Sequence, residues 1–160
     1  VRYMGGSECS AKRAKVVKPM QLRTEIEIDA EPDRVWRVLV GFAEYPEWNP
    51  YLTSVDGPLA EGASLTLVSA STDGSERRQR VTVVKIEAPR CLRYRSKLWL
   101  PRLFDGEHYF ELTALDGGRT RLVQGEDLSG ALVQSMGPRL TAMARGFVGM
   151  NQALKKRVEG

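Results

Sequence analysis

The chain holds a single histidine, His108, and only two cysteines, Cys9 and Cys91, in 160 residues. Metal centres draw on clusters of these residues at short spacings, and here no Cys-x-x-Cys pair or partner histidine is present, so no metal site, no cofactor and no disulfide framework are expected. The phosphate loop Gly-x-x-x-x-Gly-Lys-Ser/Thr and the Gly-x-Ser-x-Gly elbow are missing too, which sets aside P-loop and serine-hydrolase chemistry. Long apolar runs are also lacking: stretches such as Val38-Leu39-Val40 break within a few residues, far below the roughly 18 needed to cross a bilayer. Stable membrane insertion is not expected, and the cytoplasm is the default location.

The length suits one compact unit, at about 100 to 200 residues per domain, with a full hydrophobic core. The net charge of +4 is unevenly placed. Residues 1–18 carry five basic residues and one acid, which leaves 19 of each sign in the remainder. Residues 1–19 show no periodicity and no apolar signal segment, and read as a disordered basic leader or a cloning remnant ahead of one domain at 20–160. A neutral domain without aromatic stacking positions argues against a nucleic-acid partner.

Strict alternation of Leu22, Thr24, Ile26 and Ile28 with Arg23, Glu25 and Glu27 predicts a first strand over 21–29. Glu31-Pro32-Asp33 then starts a helix whose apolar residues run Val35, Trp36, Val38, Leu39 and Phe42. Prolines 46 and 50 leave room for one further helical turn near 42–47. Six more strands are predicted at 51–56, 63–71, 76–87, 91–98, 106–115 and 119–128, separated by Gly, Pro and Asp turns. The apolar connection 99–104 is the exception. From Met136 the period changes: Met136, Leu140, Met143, Phe147, Met150, Leu154 and Val158 form one stripe along a long helix, with Gly137-Pro138 at its start.

This order is that of an α+β protein: a curled seven-stranded antiparallel sheet wrapped around the C-terminal helix, with two short helices between strands 1 and 2. The helix cannot fill the concave side, so a pocket is expected between them. The segments Val35-Trp36-Arg37-Val38-Leu39, Phe42-Ala43-Glu44-Tyr45-Pro46-Glu47-Trp48-Asn49-Pro50, Leu103 through Leu112 and Glu126-Asp127-Leu128-Ser129-Gly130 resemble the polyketide cyclase/dehydrase branch of the START-like (SRPBCC, helix-grip) superfamily over about residues 21–158. The resemblance implies a deep apolar cavity that takes lipids, polyketides or other hydrophobic small molecules, in a monomer or homodimer, and implies catalysis less firmly.

If Asp116-Gly117-Gly118 is a three-residue hairpin loop, Leu112 faces Leu122, Phe110 faces Gln124 and His108 faces Glu126, all inward. A buried carboxylate beside an imidazole suits proton abstraction next to a ketone, with Tyr94 orienting the carbonyl. Glu126, His108 and Tyr94 are therefore the candidate catalytic residues of a cyclase, aromatase or dehydratase. The plainer alternative is that they satisfy one another inside a binding cavity. Trp48, Asn49, Trp99, Leu100, Phe104, Phe110, Gln124, Met136, Leu140, Met143 and Phe147 complete the candidate ligand wall. Trp48 reads more readily as a core plug closing one end of the sheet, and Asn49 as a turn-closing side chain. The three stripe methionines suit a wall that adapts to differing guests. The basic row Arg93, Arg95 and Lys97 is expected to pair with Glu107 and Glu111 on the outer face. The 99–104 segment fits a lid, or, in a third reading, the contact of a protein-interaction module.

Overall fold

The structure, a computed structural model, describes residues 20–70, 74–97 and 104–160. Expectations for the leader 1–19 and for Trp99, Leu100 and Leu103 lie outside those residues. Strands β1 (Met20–Ile28), β2 (Leu52–Asp56), β3 (Ser64–Ala70), β4 (Glu76–Glu87), β5 (Cys91–Lys97), β6 (Asp105–Leu115) and β7 (Arg119–Ser129) form one antiparallel sheet ordered β1-β7-β6-β5-β4-β3-β2. Because β1 and β2 are the two edges, the helices between them, α1 (Pro32–Val40) and α2 (Tyr45–Trp48), carry the chain from one edge to the other. Tyr45 Oη ties them together by donating to the Leu39 carbonyl at 2.6 Å, and Thr120 Oγ1 anchors the entry to α1 through the Ala30 carbonyl at 2.6 Å.

The β6–β7 hairpin pairs Leu115 with Arg119, Leu112 with Leu122, Phe110 with Gln124 and His108 with Glu126, as the turn chemistry predicts. Gly117 (φ 80°) and Gly118 (φ 72°) supply the left-handed conformations that this loop needs. Extra residues at Thr53 and Val84 shift the β2–β3 and β4–β5 registers, and such bulges increase local twist and bend a sheet. The curl that results gives the sheet an inner face.

Helix α3 (Gly137–Glu159) lies in that hollow, with Pro138 in its first turn. Phe147, Met150, Leu154 and Val158 are buried, so the predicted stripe is the packing face. Its C-terminal half joins the main core with Ile28, Val35, Leu39, Leu92, Phe110 and Leu122. Leu140 instead joins a second, smaller cluster with Leu128 and Val133. Asn151, buried on the same face, donates through Nδ2 to Thr24 Oγ1 at 3.0 Å, and Thr24 donates to the Gln124 carbonyl at 3.1 Å, which links α3, β1 and β7.

The outer face carries the expected ion pairs. Arg93 reaches Glu107 at 3.2 Å and Glu111 at 2.6 Å, and Arg95 reaches Glu107 at 2.6 Å. Arg93 also lies 4.8 Å from the Tyr109 ring centroid. Tyr109 crosses β7 at Gly125, where a Cβ would come within 2.4 Å of its hydroxyl. Cys91 is fully buried and disulfide-bonded, which the cysteine spacing does not predict. Arg93→Ala should lower unfolding stability in urea by about 2–3 kcal/mol, because it leaves Glu111 without its partner, takes one of two from Glu107 and removes a ring contact. Arg23→Ala, which breaks a half-exposed pair with Glu25, should change it by less than about 1 kcal/mol. Equal effects of the two substitutions would contradict this account of the outer face.

Candidate functional site

A cavity of about 70 Å³ lies beneath the N-terminal half of α3, where the main core gives way to the smaller cluster. Its wall takes Leu52, Leu67, Val81 and Tyr94 from the first cluster and Phe104, Met136 and Met143 from the margin of the second. A single water occupies roughly 10–15 Å³ on this measure, so the space holds several waters or a small ring. It runs across the sheet from Tyr51 and β3 to Glu126 on β7.

At the β6–β7 end, His108 is held on every side. Its ring stacks on Tyr94 (centroids 4.9 Å apart, planes 9° apart) and meets Phe147 edge-on at 4.8 Å and Phe110 at 4.8 Å. Nδ1 is 3.5 Å from Glu126 Oε2. The Gln124 amide nitrogen lies 3.2 Å from Nε2 and 3.6 Å from the Met150 sulfur. With the Gln124 amide in this orientation its nitrogen donates to Nε2, which leaves the imidazole proton on Nδ1, facing the carboxylate. Gln124 Oε1 is buried without a partner.

Glu126 occupies a space that a glycine leaves open. A Cβ on Gly106 would lie 2.6 Å from Glu126 Oε1 and 2.9 Å from Ser96 Oγ. Glycine inside a strand often marks such a close approach. Tyr51 is seated in a similar way at the other end: a Cβ on Gly146 of α3 would meet its ring at 2.3 Å, and the ring packs edge-on against Phe147 at 5.7 Å.

Of the candidates from sequence, Tyr94, Phe104, His108, Glu126, Met136, Met143 and Phe147 come together on the cavity wall. Phe110 and Gln124 do not reach it: they lie behind His108 and hold it from below. Leu140 packs in the smaller cluster instead. Trp48 packs edge-on against Tyr45 at 5.0 Å, away from the wall. Asn49 closes the turn into β2, its Oδ1 accepting from the amides of Tyr51 (3.0 Å) and Leu52 (2.9 Å). Met150 is a core residue with no exposed surface. The wall also includes Tyr51, Ser69, Arg77, Gln79 and Ser96, which the sequence reading omits. Strand parity offered a signal for three of them, since Arg77 and Gln79 alternate in phase with Val81 and Val83, and Ser96 with Tyr94.

Burial dominates the proton chemistry of the tyrosines. Tyr51 is pushed up to about 12 by desolvation and the Glu126 charge, against a smaller downward pull from Arg77. Burial raises Tyr94 well above the usual phenol value, and Tyr45 is raised for the same reason. A raised phenol keeps its proton in the fold while the unfolded chain loses it. The stability these groups contribute is therefore complete below about pH 10 and falls as pH rises through 10 toward 12. Absorbance titration of the phenolates should show these three tyrosines ionising only with unfolding, above pH 11. Gly106→Ala should displace the Glu126 carboxylate, the flexible partner, with a stability change under about 1 kcal/mol. The ¹⁵N signals of the His108 ring should shift in that variant, and an unchanged spectrum would refute the contact.

With this geometry in view, the chain can be compared with known proteins. The model of the family described as polyketide cyclase/dehydrase and lipid transport matches residues 19–159. No curated protein matches. Among solved structures, the Zhui aromatase/cyclase from Streptomyces sp. R1128 superposes with a TM-score of 0.70 at 19% identity, over 88% of this chain and 93% of that one. A START superfamily protein from Mycobacterium smegmatis gives a TM-score of 0.67 at 19% identity, over 87% and 97%. The di-domain ARO/CYC BexL from the BE-7585A biosynthetic pathway gives 0.69 at 16% identity; 89% of this chain matches about half (51%) of that one. At these identities the likeness concerns the fold. Among the described residues, no helix is long and apolar enough to cross a membrane, and no cluster of His, Cys, Asp and Glu could hold a metal ion.

Proposed function

The chain belongs to the polyketide cyclase/dehydrase and lipid transport family, and on that footing we propose that it binds a small molecule with a hydrophobic body, of polyketide or aromatic type, between its sheet and α3. One observation carries this reading: an apolar-walled cavity that ends on Glu126, His108, Tyr94 and Ser96. A wholly apolar guest would keep the Tyr94 hydroxyl, which has no partner among the described residues, from water at a cost of about 1–3 kcal/mol. A guest with a carbonyl or hydroxyl on an apolar ring satisfies it. The modest volume favours a ring-sized portion over a long acyl chain.

A second reading, acid–base chemistry as in a cyclase or dehydratase, is favoured by the placement of the Nδ1 proton. His108 presents it toward Glu126 at 3.5 Å, and the pair lines the same cavity as Tyr94, whose hydroxyl has no hydrogen-bond partner among the described residues. A carboxylate so placed takes the proton from carbon next to a ketone and becomes the neutral acid, the imidazole keeps the carboxyl in position, and the phenol donates to the enolate oxygen, where the negative charge then lies.

Met143→Trp fills the cavity from the helix side. It should abolish uptake of a hydroxynaphthyl ketone, followed by native mass spectrometry, while the far-ultraviolet dichroism stays that of the parent. Uptake that survives the substitution would remove the cavity from the account. Glu126→Gln distinguishes the two readings: a plain binder keeps its affinity within about threefold and has no turnover to lose, whereas an enzyme keeps affinity and loses at least about a hundredfold in kcat.

A further inference from the structure

Arg77 is the one arginine on the cavity wall among the described residues. On β4 it alternates in phase with Gln79, Val81 and Val83, so it belongs to the inner face, while Arg78 and Arg80 belong to the outer one. Arg93 and Arg95 on the outer face hold Glu107 and Glu111, so the acids of the adjoining strands are already engaged there. Arg77 has no such pair among the described residues. Its cross-strand neighbour is Ser69, whose hydroxyl donates to the Arg77 backbone carbonyl at 3.4 Å and leaves the guanidinium without that partner.

The one carboxylate on the wall is Glu126. It is carried by β7, three strand positions from β4, or about 14 Å along the sheet at ~4.8 Å per step. The cavity thus has an acid and an imidazole at one end and, at the other, a guanidinium with no acid partner among the described residues. The cation is exposed to solvent, and it offers five donors in a planar fork suited to an oxyanion. Tyr51 registers its field: the positive charge of Arg77 opposes the rise that burial imposes on that phenol.

We propose that Arg77 forms an anion subsite at the cavity mouth and that the preferred guest carries a carboxylate there, its apolar body extending toward His108 and Glu126. The inference rests on the binding reading given above and narrows it to acidic guests. A neutral lipid or neutral ketone would leave the guanidinium as it is in the free protein. A carboxylate gains two parallel N–H to oxygen bonds that the neutral analogue cannot accept with the same charge.

The experiment uses the full chain and a panel of aryl and alkyl carboxylates of increasing length, each matched with its primary amide, with affinities measured by isothermal titration. The parent protein should bind at least one carboxylate about fivefold or more tightly than its amide, and added salt should narrow that margin. Arg77→Gln should abolish the margin, Arg77→Lys should retain part of it, and Arg78→Gln, on the outer face, should leave it in place. Thermal melts should match the parent, since the side chain is exposed and holds no acid among the described residues. Carboxylates and amides bound equally by parent and Arg77→Gln would overturn the subsite and leave the cavity reading standing. No binding of any panel member would overturn both.

Discussion

The phase of the β6–β7 hairpin is the constraint on which the inside of this protein depends. Side chains on paired strands alternate with a period of two, so one residue more or fewer between Leu115 and Arg119 would turn one strand's inner set to solvent. Asp116-Gly117-Gly118 holds the count at three, with two glycines at positive φ. With that count, His108 meets Glu126, Gln124 sits beneath the imidazole, and Leu112 and Leu122 continue the core. The same phase places Glu107 and Glu111 outside, within reach of Arg93.

Division of the core follows from the length of α3. Its C-terminal half is fixed by Met150, Leu154 and Val158 in the main cluster and by Asn151 through Thr24. Its N-terminal half spans to the cluster of Leu128, Val133 and Leu140, and the cavity is the space left where the two clusters fail to merge. Polar groups collect at that seam because each has something to hold it: rings around His108, the open space at Gly106 for Glu126, and the strand register for Ser96. The interior space thus has a polar end as well as an apolar wall.

Much of the architecture was legible in the sequence because it rests on periodicity. The alternation in 21–28, the Gly and Asp turns and the stripe from Leu140 to Val158 each encode a local rule, and all seven strands and the long helix lie within a few residues of their predicted bounds. The pairing of His108 with Glu126 was legible for the same reason, since one loop length decides it. The cavity wall was less so. Asn49 and Trp48 sit beside the site in sequence but serve a turn and an aromatic contact. Phe110 and Gln124 share the correct parity, yet they are covered by the ring they support. Arg77 shows the opposite failure: charged residues are mostly exposed, so its inward phase is masked by its type. Alternation tells which side a residue faces; it does not tell how far along the sheet the packing stops.

The seat of Tyr51 on Gly146 ties the start of the second edge strand to the helix. The phenol ring occupies the volume that a methyl group at 146 would need, so helix and sheet approach there to the thickness of one aromatic ring. Asn151, a turn further on, is moored to the opposite edge strand. The rod is thus notched against both borders of the sheet, and one of the two notches is cut by the absence of a single carbon atom.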